Sequence, residues 1–119
     1  MVLATPAGES HEFGILASAM LASMAGIEAI SLGTDLPARE IGEASQRLSA
    51  TVVLLAVTVV NKTTAKELRA IAAAIPESTE LWIGGAGIAE LDLIKLGRQT
   101  ILLKNLPALE DECRRWKNL

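Results

Sequence analysis

Apolar and polar positions follow one another in blocks, and each block has the length of a strand or a helix. Short apolar runs bounded by Gly or Pro predict strands, and longer stretches of good helix formers predict helices. The predicted strands cover residues 2–5, 27–32, 51–60, 80–83 and 99–103. The predicted helices cover residues 12–25, 37–48, 63–75, 87–96 and 107–117.

The order of these elements predicts the topology. Strands and helices alternate from end to end, and such short connections require right-handed crossovers and therefore a parallel sheet. The run 51–60 is apolar on both faces, which is typical of a central parallel strand. We predict an α/β fold of flavodoxin-like (Rossmann-like) design: a five-stranded parallel sheet of order 2-1-3-4-5 with helices on both faces.

Composition narrows the class of protein. The 119 residues suffice for one domain, 1–119, with an aliphatic core, because the chain has one Phe, two Trp and no Tyr. The net charge of −3 without a basic stripe argues against direct nucleic-acid binding. A lone cysteine, Cys113, excludes an internal disulfide and a cysteine-based zinc cluster. With neither a signal peptide nor a membrane-length apolar run, we expect a soluble, cytoplasmic protein without membrane contact.

In a sheet of this order, ligands bind beyond the carboxyl ends of the strands, near strands one and three. The loop after the first strand holds the chain's only histidine, His11, two residues after Glu9. A carboxylate bonded to one imidazole nitrogen fixes the tautomer and leaves the other nitrogen free for a metal. Gly14 leaves space for a bulky group beside the imidazole. A single imidazole with such space suits a metal that already has most of its ligands.

The motif Glu9-x-His11-x-x-Gly14 resembles the Asp-x-His-x-x-Gly motif of cobalamin-binding domains, with Glu in place of Asp. The resemblance implies that His11 replaces the dimethylbenzimidazole base as the lower ligand of the cobalt. It extends over the whole chain and implies the flavodoxin-like fold.

Two later loops carry the other motifs of that family. Thr58-x-Val60 is similar to its Ser-x-Leu motif, and Gly84-Gly85 matches its Gly-Gly motif. The resemblance implies that the displaced base enters a slot between the first helix and the sheet. The Thr58 hydroxyl would bond the base, and the nucleotide loop would lie against the two glycines. We accordingly expect Gly85 to accept a larger side chain without loss of the fold.

One branch of the family is similar over a longer stretch. The string Thr5-Pro6-x-Gly8-Glu9-x-His11, followed by Leu32-Gly33-x-Asp35-x-Pro37, resembles light-responsive MerR-type repressors that sense adenosylcobalamin. This adds Gly33 and Asp35 to the expected cofactor-binding residues. It implies a non-catalytic sensory module of a transcriptional regulator, with light as the implied stimulus. The implied partners are a helical bundle over the corrin and a DNA-binding helix-turn-helix, in cis or in another protein.

Other functions remain as alternatives. The corrinoid carrier domain of a methyltransferase or mutase is the nearest, although Glu12-Phe13-Gly14 stands where methyltransferase modules have Asp-Ile-Gly. A receiver domain would need acidic residues that this chain lacks, and only Lys104 fits its pattern. A flavodoxin would need aromatic side chains around the flavin. No nucleophile is paired with a base, so we expect no catalysis by this domain alone.

The first helix has an unusual composition. Small residues predominate in it and would open the slot for a nucleotide tail. Phe13, Met20 and Met24 recur at helical spacing and are interpreted as core or interface residues. An apolar corrin-binding face left uncovered would favour weak self-association.

Overall fold

The computed structural model describes residues 1–91 and 94–118 and confirms the predicted topology. Five parallel strands form one sheet in the order β2-β1-β3-β4-β5. The strands are β1 (Val2–Pro6), β2 (Ile30–Leu36), β3 (Val52–Ala56), β4 (Glu80–Gly84) and β5 (Thr100–Leu103). The helices are α1 (Phe13–Met24), α2 (Ala38–Arg47), α3 (Thr64–Ala74) and α4 (Leu106–Lys117).

Alternating side chains of the buried strands divide the core between the two faces of the sheet. Val53 and Leu55 of β3 face a cluster with residues of α2 and α3, including Ile41 and Leu68. Leu54, also fully buried, faces the opposite cluster with residues of α1 and α4. Trp82 and Cys113 are buried in this second cluster, and Trp116 packs against it. Each face is therefore closed by two helices, which leaves the ends of the strands as the accessible edges.

The segment after β4 differs from the prediction. A helix was expected over residues 87–96, whereas the chain forms a short 3₁₀ helix over Ala86–Glu90. Residues 92 and 93 of the expected helix lie outside the described part of the chain. A 3₁₀ helix rarely extends beyond three or four residues because its hydrogen bonds are poorly aligned, which explains the early end.

Strand β2 is displaced along the chain from its predicted position. Ile27 lies instead in the turn that follows α1, where its N–H donates to the carbonyl of Ala22 at 2.9 Å and caps the helix end. The strand begins at Ile30 and continues through the polar residues to Leu36. It is an edge strand that pairs only with β1, so it need not be apolar. The polar segment 33–35 thus lies at the carboxyl edge of the sheet.

No helix of the described residues is long and apolar enough to cross a membrane.

Candidate functional site

Glu9 is the centre of the carboxyl edge. It is 5% exposed, although it lies in the loop after β1. Its Oε1 accepts hydrogen bonds from the N–H of Thr58 at 2.8 Å and of Val59 at 3.1 Å, in the loop after β3. Its Oε2 accepts from the N–H of His11 at 3.2 Å and lies 2.5 Å from His11 Nδ1. One carboxylate thereby joins two loops that are adjacent in space and distant in sequence.

The ionisation of Glu9 follows from these contacts. Burial is the largest single influence and tends to raise the pKa of the carboxyl. The hydrogen bonds from Val59, His11 and Thr58 outweigh burial, and the net effect is a pKa below the ordinary value. Glu9 is therefore a carboxylate at neutral pH and acts as a fixed hydrogen-bond acceptor for the imidazole.

His11 lies at the surface beside this carboxylate. Its side chain is 56% exposed, and that of Glu9 is 4% exposed. The expected pairing of Glu9 with one ring nitrogen is thus present, and the nitrogen it contacts is Nδ1. A carboxylate at Nδ1 places the proton there and leaves the lone pair of Nε2 available to solvent or to a metal.

The end of β2 holds the first loop from its other side. The N–H of Gly8 donates to Asp35 Oδ1 at 2.8 Å, and the N–H of Asp35 donates to the carbonyl of Glu9 at 3.0 Å. Thr5 belongs to the string that resembles the MerR-type repressors, but it was not predicted as a site residue. It is fully buried, and its hydroxyl bonds to Glu9 and Asp35. The signal that could have identified Thr5 from the sequence is a polar residue near the end of an otherwise apolar strand. Gly33 and Asp35 both lie at this edge, and a Cβ at Gly33 would have no atom within 4 Å.

A cavity of about 240 Å³ opens between α1, the sheet and the start of α4, where the slot was predicted. Gly14 and Ser18 of α1 contribute one wall, and Gly84 and Gly85 contribute another. The remaining walls come from Leu54, Ala56, Ala86 and a segment at the end of β5 and the start of α4, Leu103, Lys104, Asn105, Leu106 and Leu109. The slot is mostly apolar and begins three residues after His11, which makes it a suitable recess for a flat heterocycle.

Thr58 and Val60 lie outside the walls of this slot. The backbone N–H of Thr58 is occupied by Glu9. Val60 packs against the core cluster on the α2–α3 side of the sheet, as does Val57 just before the loop. The structure therefore brings Glu9, His11, Gly14, Gly84 and Gly85 to the same edge and slot, and places Val60 on the opposite face.

The expectation that Gly85 accepts a larger side chain is wrong. Its φ is +112°, and a Cβ at this position would lie 2.4 Å from the carbonyl oxygen of Val57. The fold itself therefore requires glycine here, independently of any ligand. At Gly84 a Cβ would meet Leu103 at 3.6 Å, which is ordinary contact. Gly84 is consequently the glycine whose side-chain space belongs to the slot.

The exposed apolar side chains of α1 are interface candidates and not core residues. Phe13 is 81% exposed, Met20 64% and Met24 77%. Of these, Phe13 begins α1 at the carboxyl edge, where Val59 and Leu106 are also exposed, whereas Met20 and Met24 lie toward the other end of the helix. This edge therefore offers an apolar rim around a single imidazole.

Within residues 1–91 and 94–118, no three side chains of His, Cys, Asp or Glu come together as a metal-ion site.

Comparison with known proteins gives structural matches and no sequence matches. No family profile and no curated protein matches the chain. A cobalamin-binding protein from Desulfitobacterium hafniense DCB-2 superposes with a TM-score of 0.82 at 24% identity, over 97% of this chain and 57% of that one. The monomethylamine corrinoid protein of Methanosarcina barkeri gives 0.74 at 16% identity, over 97% of this chain and 56% of that one.

A third solved structure belongs to a larger assembly. The methanol:cobalamin methyltransferase complex MtaBC of Methanosarcina barkeri gives a TM-score of 0.77 at 17% identity, over 98% of this chain and 44% of that one. The chain spans about half the length of these three proteins or less. At these identities the comparisons establish the fold alone: the chain shares a flavodoxin-like fold with the matching part of these three proteins.

Proposed function

We propose that the domain binds a corrinoid, with His11 as the lower ligand of the cobalt and the nucleotide base in the slot beside α1. The observation that carries this proposal is the exposed imidazole whose Nδ1 is held by a buried carboxylate, three residues before the wall of an apolar slot. The three structural neighbours, whose names include cobalamin or corrinoid, support the same ligand.

The residues present fit this ligand in three ways. Glu9 orients the imidazole and, in the neutral ring, holds the proton on Nδ1, so that the lone pair available to a metal lies on Nε2. The slot excludes water from a flat apolar base, and the rim of Phe13, Val59 and Leu106 offers apolar contact to a macrocycle. When bound, the corrinoid supplies the reactive cobalt, and the chain holds and orients it.

The proposed role of the bound corrinoid is sensory. The stretch from Thr5 to His11, together with Gly33 and Asp35, is similar to MerR-type repressors that respond to adenosylcobalamin. Adenosylcobalamin is therefore the proposed form of the ligand, and a helical bundle with a DNA-binding domain the proposed partner. The second candidate is a corrinoid carrier for a methyltransferase or mutase, and the name of one structural neighbour, the methanol:cobalamin methyltransferase complex, favours a methyltransferase. Neither role assigns catalysis to this domain alone.

Titration with adenosylcobinamide tests the metal ligand directly. This corrinoid lacks a nucleotide base, so its change from the yellow form without a nitrogen ligand to the red form with one reports a protein nitrogen on cobalt. We expect the change in the wild type and in Ser10→Ala, which alters an exposed residue of the same loop. We expect it to be absent in His11→Ala. A red form that persists in His11→Ala would contradict the assignment.

A comparison of adenosylcobalamin with methylcobalamin separates the two roles. A sensor of the proposed kind should bind adenosylcobalamin at least tenfold more tightly and should keep the corrin through His11 after illumination. A carrier should bind both forms within a few-fold of each other. Absence of binding by both forms in the wild type would refute the corrinoid proposal itself.

A further inference from the structure

We infer that Thr5 and Asp35 form a clamp that positions His11 for its ligand. The inference rests on the proposed function, because His11 is the group being positioned. The clamp is defined by the hydrogen bonds that join Thr5 and Asp35 to Gly8 and Glu9.

The hydroxyl of Thr5 both donates and accepts a hydrogen bond. It is fully buried at the end of β1, between β2 and β3 in the sheet. Its Oγ1 donates to the carbonyl of Glu9 at 2.6 Å and accepts from the N–H of Asp35 at 2.7 Å. A buried hydroxyl with both functions satisfied fixes the two groups relative to each other. Thr5 therefore ties the first loop to the end of β2.

Asp35 completes the clamp from the edge strand. Its φ is +56°, a conformation that Asp and Asn tolerate better than other residues with a side chain. This conformation accompanies a carboxylate that points back across the sheet edge, where Oδ1 accepts the N–H of Gly8 at 2.8 Å. Because Oδ1 is engaged by the protein backbone, the role of Asp35 is explained without a ligand.

The clamp acts on His11 through Glu9. The clamp holds the backbone carbonyl of Glu9, and the loop after β3 holds its Oε1 by two N–H groups. With both ends of Glu9 held, only Oε2 remains to face the imidazole. Thr5 and Asp35 thus set the orientation of the ring without touching it, which makes them positioning residues.

Two matched pairs of variants separate positioning from general stability. Thr5→Val keeps the size and removes both hydrogen bonds, and Thr5→Ser keeps the hydroxyl. Asp35→Gly keeps access to the positive φ and removes the acceptor, and Asp35→Asn keeps both. Asp35 is exposed, so its variants remain informative if Thr5→Val fails to fold.

The first measurement is the titration with adenosylcobinamide. We expect Thr5→Val and Asp35→Gly to weaken binding by about 10–100-fold, as outer-shell changes at metal ligands do. The bound fraction should also show a smaller red component, whereas Thr5→Ser and Asp35→Asn should match the wild type. Wild-type affinity and spectrum in both Thr5→Val and Asp35→Gly would overturn the clamp while leaving the proposed function intact.

The second measurement needs no corrinoid, and it distinguishes failure of the clamp from failure of the proposed function. Nitrogen-15 NMR of the ligand-free protein reports the tautomer of His11. We expect the Nδ1–H tautomer to predominate in the wild type and in both conservative variants, and a mixed population in Thr5→Val and Asp35→Gly. An unchanged tautomer in those two variants would refute the clamp, whatever the wild type binds. A changed tautomer together with no binding by the wild type would refute the proposed function and keep the clamp.

Discussion

At the scale of single residues, the carboxyl edge depends on backbone conformations that most side chains do not permit. Gly33 and Gly85 both have a φ of +112°. They differ in their surroundings, because a Cβ at Gly33 would meet open space and one at Gly85 would meet the carbonyl of Val57. A comparison of the two positions therefore separates the cost of backbone strain from the cost of close approach to the Val57 carbonyl.

This difference gives a prediction for stability. Both Gly33→Ala and Gly85→Ala should incur strain at positive φ, on the order of 1–3 kcal/mol. Gly85→Ala should lose about 2 kcal/mol more, since the backbone at Val57, just after β3, must also move away from the new methyl group. Urea unfolding of the two variants and the wild type measures the free energies of unfolding. Equal losses would mean that the approach to Val57 relaxes without cost.

A second residue-scale prediction concerns Glu9 and pH in the ligand-free protein. The folded-state pKa of Glu9 lies below its ordinary value of 4.5, so folding favours the ionised form. The resulting stability is present above that ordinary value and is lost as the pH falls through the lower folded-state pKa. Glu9→Gln should be less stable than the wild type by roughly 1–3 kcal/mol at neutral pH, because amide oxygen is a weaker acceptor.

Urea unfolding in steps from neutral to acidic pH measures this effect. The difference between the wild type and Glu9→Gln should shrink as the solution becomes acidic. Glu12→Gln is the control, since Glu12 is exposed and lies just beyond the same loop. A difference that stays constant through the acid range would show that the Glu9 carboxylate contributes nothing as a charge.

At the scale of elements, α1 has two unlike faces. Its inner face carries small residues that form a wall of the slot, including Gly14 and Ser18. Its outer face carries Phe13, Met20 and Met24. No charged residue occurs within the helix. Weak self-association through an uncovered corrin-binding face, as distinct from this outer face, remains a prediction of the sequence.

Filling the slot tests whether it receives the nucleotide base. Ser18→Leu places a larger apolar side chain in the slot, and we expect it to weaken binding of adenosylcobalamin at least tenfold. Binding of adenosylcobinamide should change little, because that corrinoid has no base to accommodate. Ser23→Leu makes the same substitution on the exposed face of α1 and should alter neither affinity. Equal weakening of both corrinoids by Ser18→Leu would mean that the base does not enter this slot.

At the scale of the whole molecule, the alternation of apolar runs and helices was sufficient to predict the sheet order. The predicted ends of strands were less accurate where a side chain distant in sequence takes up backbone hydrogen-bonding groups. The run 51–60 was predicted to be one strand, yet β3 ends at Ala56. The N–H groups of Thr58 and Val59 bond to a carboxylate from the first loop, instead of continuing the ladder. Local sequence does not reveal a partner that lies about fifty residues away.

The candidate site was predictable to a similar degree. The pairing of Glu9 with His11 follows from their spacing, and the slot beside α1 follows from the family resemblance. The function of Thr5 was not apparent, because a buried threonine at a strand end is compatible with simple packing. The requirement for glycine at Gly85 depends on how closely β3 passes, which only the assembled sheet defines.

The slot is walled by Gly14 and Ser18 from the first part of the chain and by residues 103–109 from the last part. It therefore exists only when the whole sheet is assembled, and an unfolded chain offers a base nothing to bind. Any ligand of the slot must then act as a folding effector through mass action. At a free concentration one hundred times its dissociation constant, it would raise the free energy of unfolding by about 2.7 kcal/mol. The abundance of the folded domain in a cell would accordingly follow the supply of its ligand, before any signal or chemistry takes place.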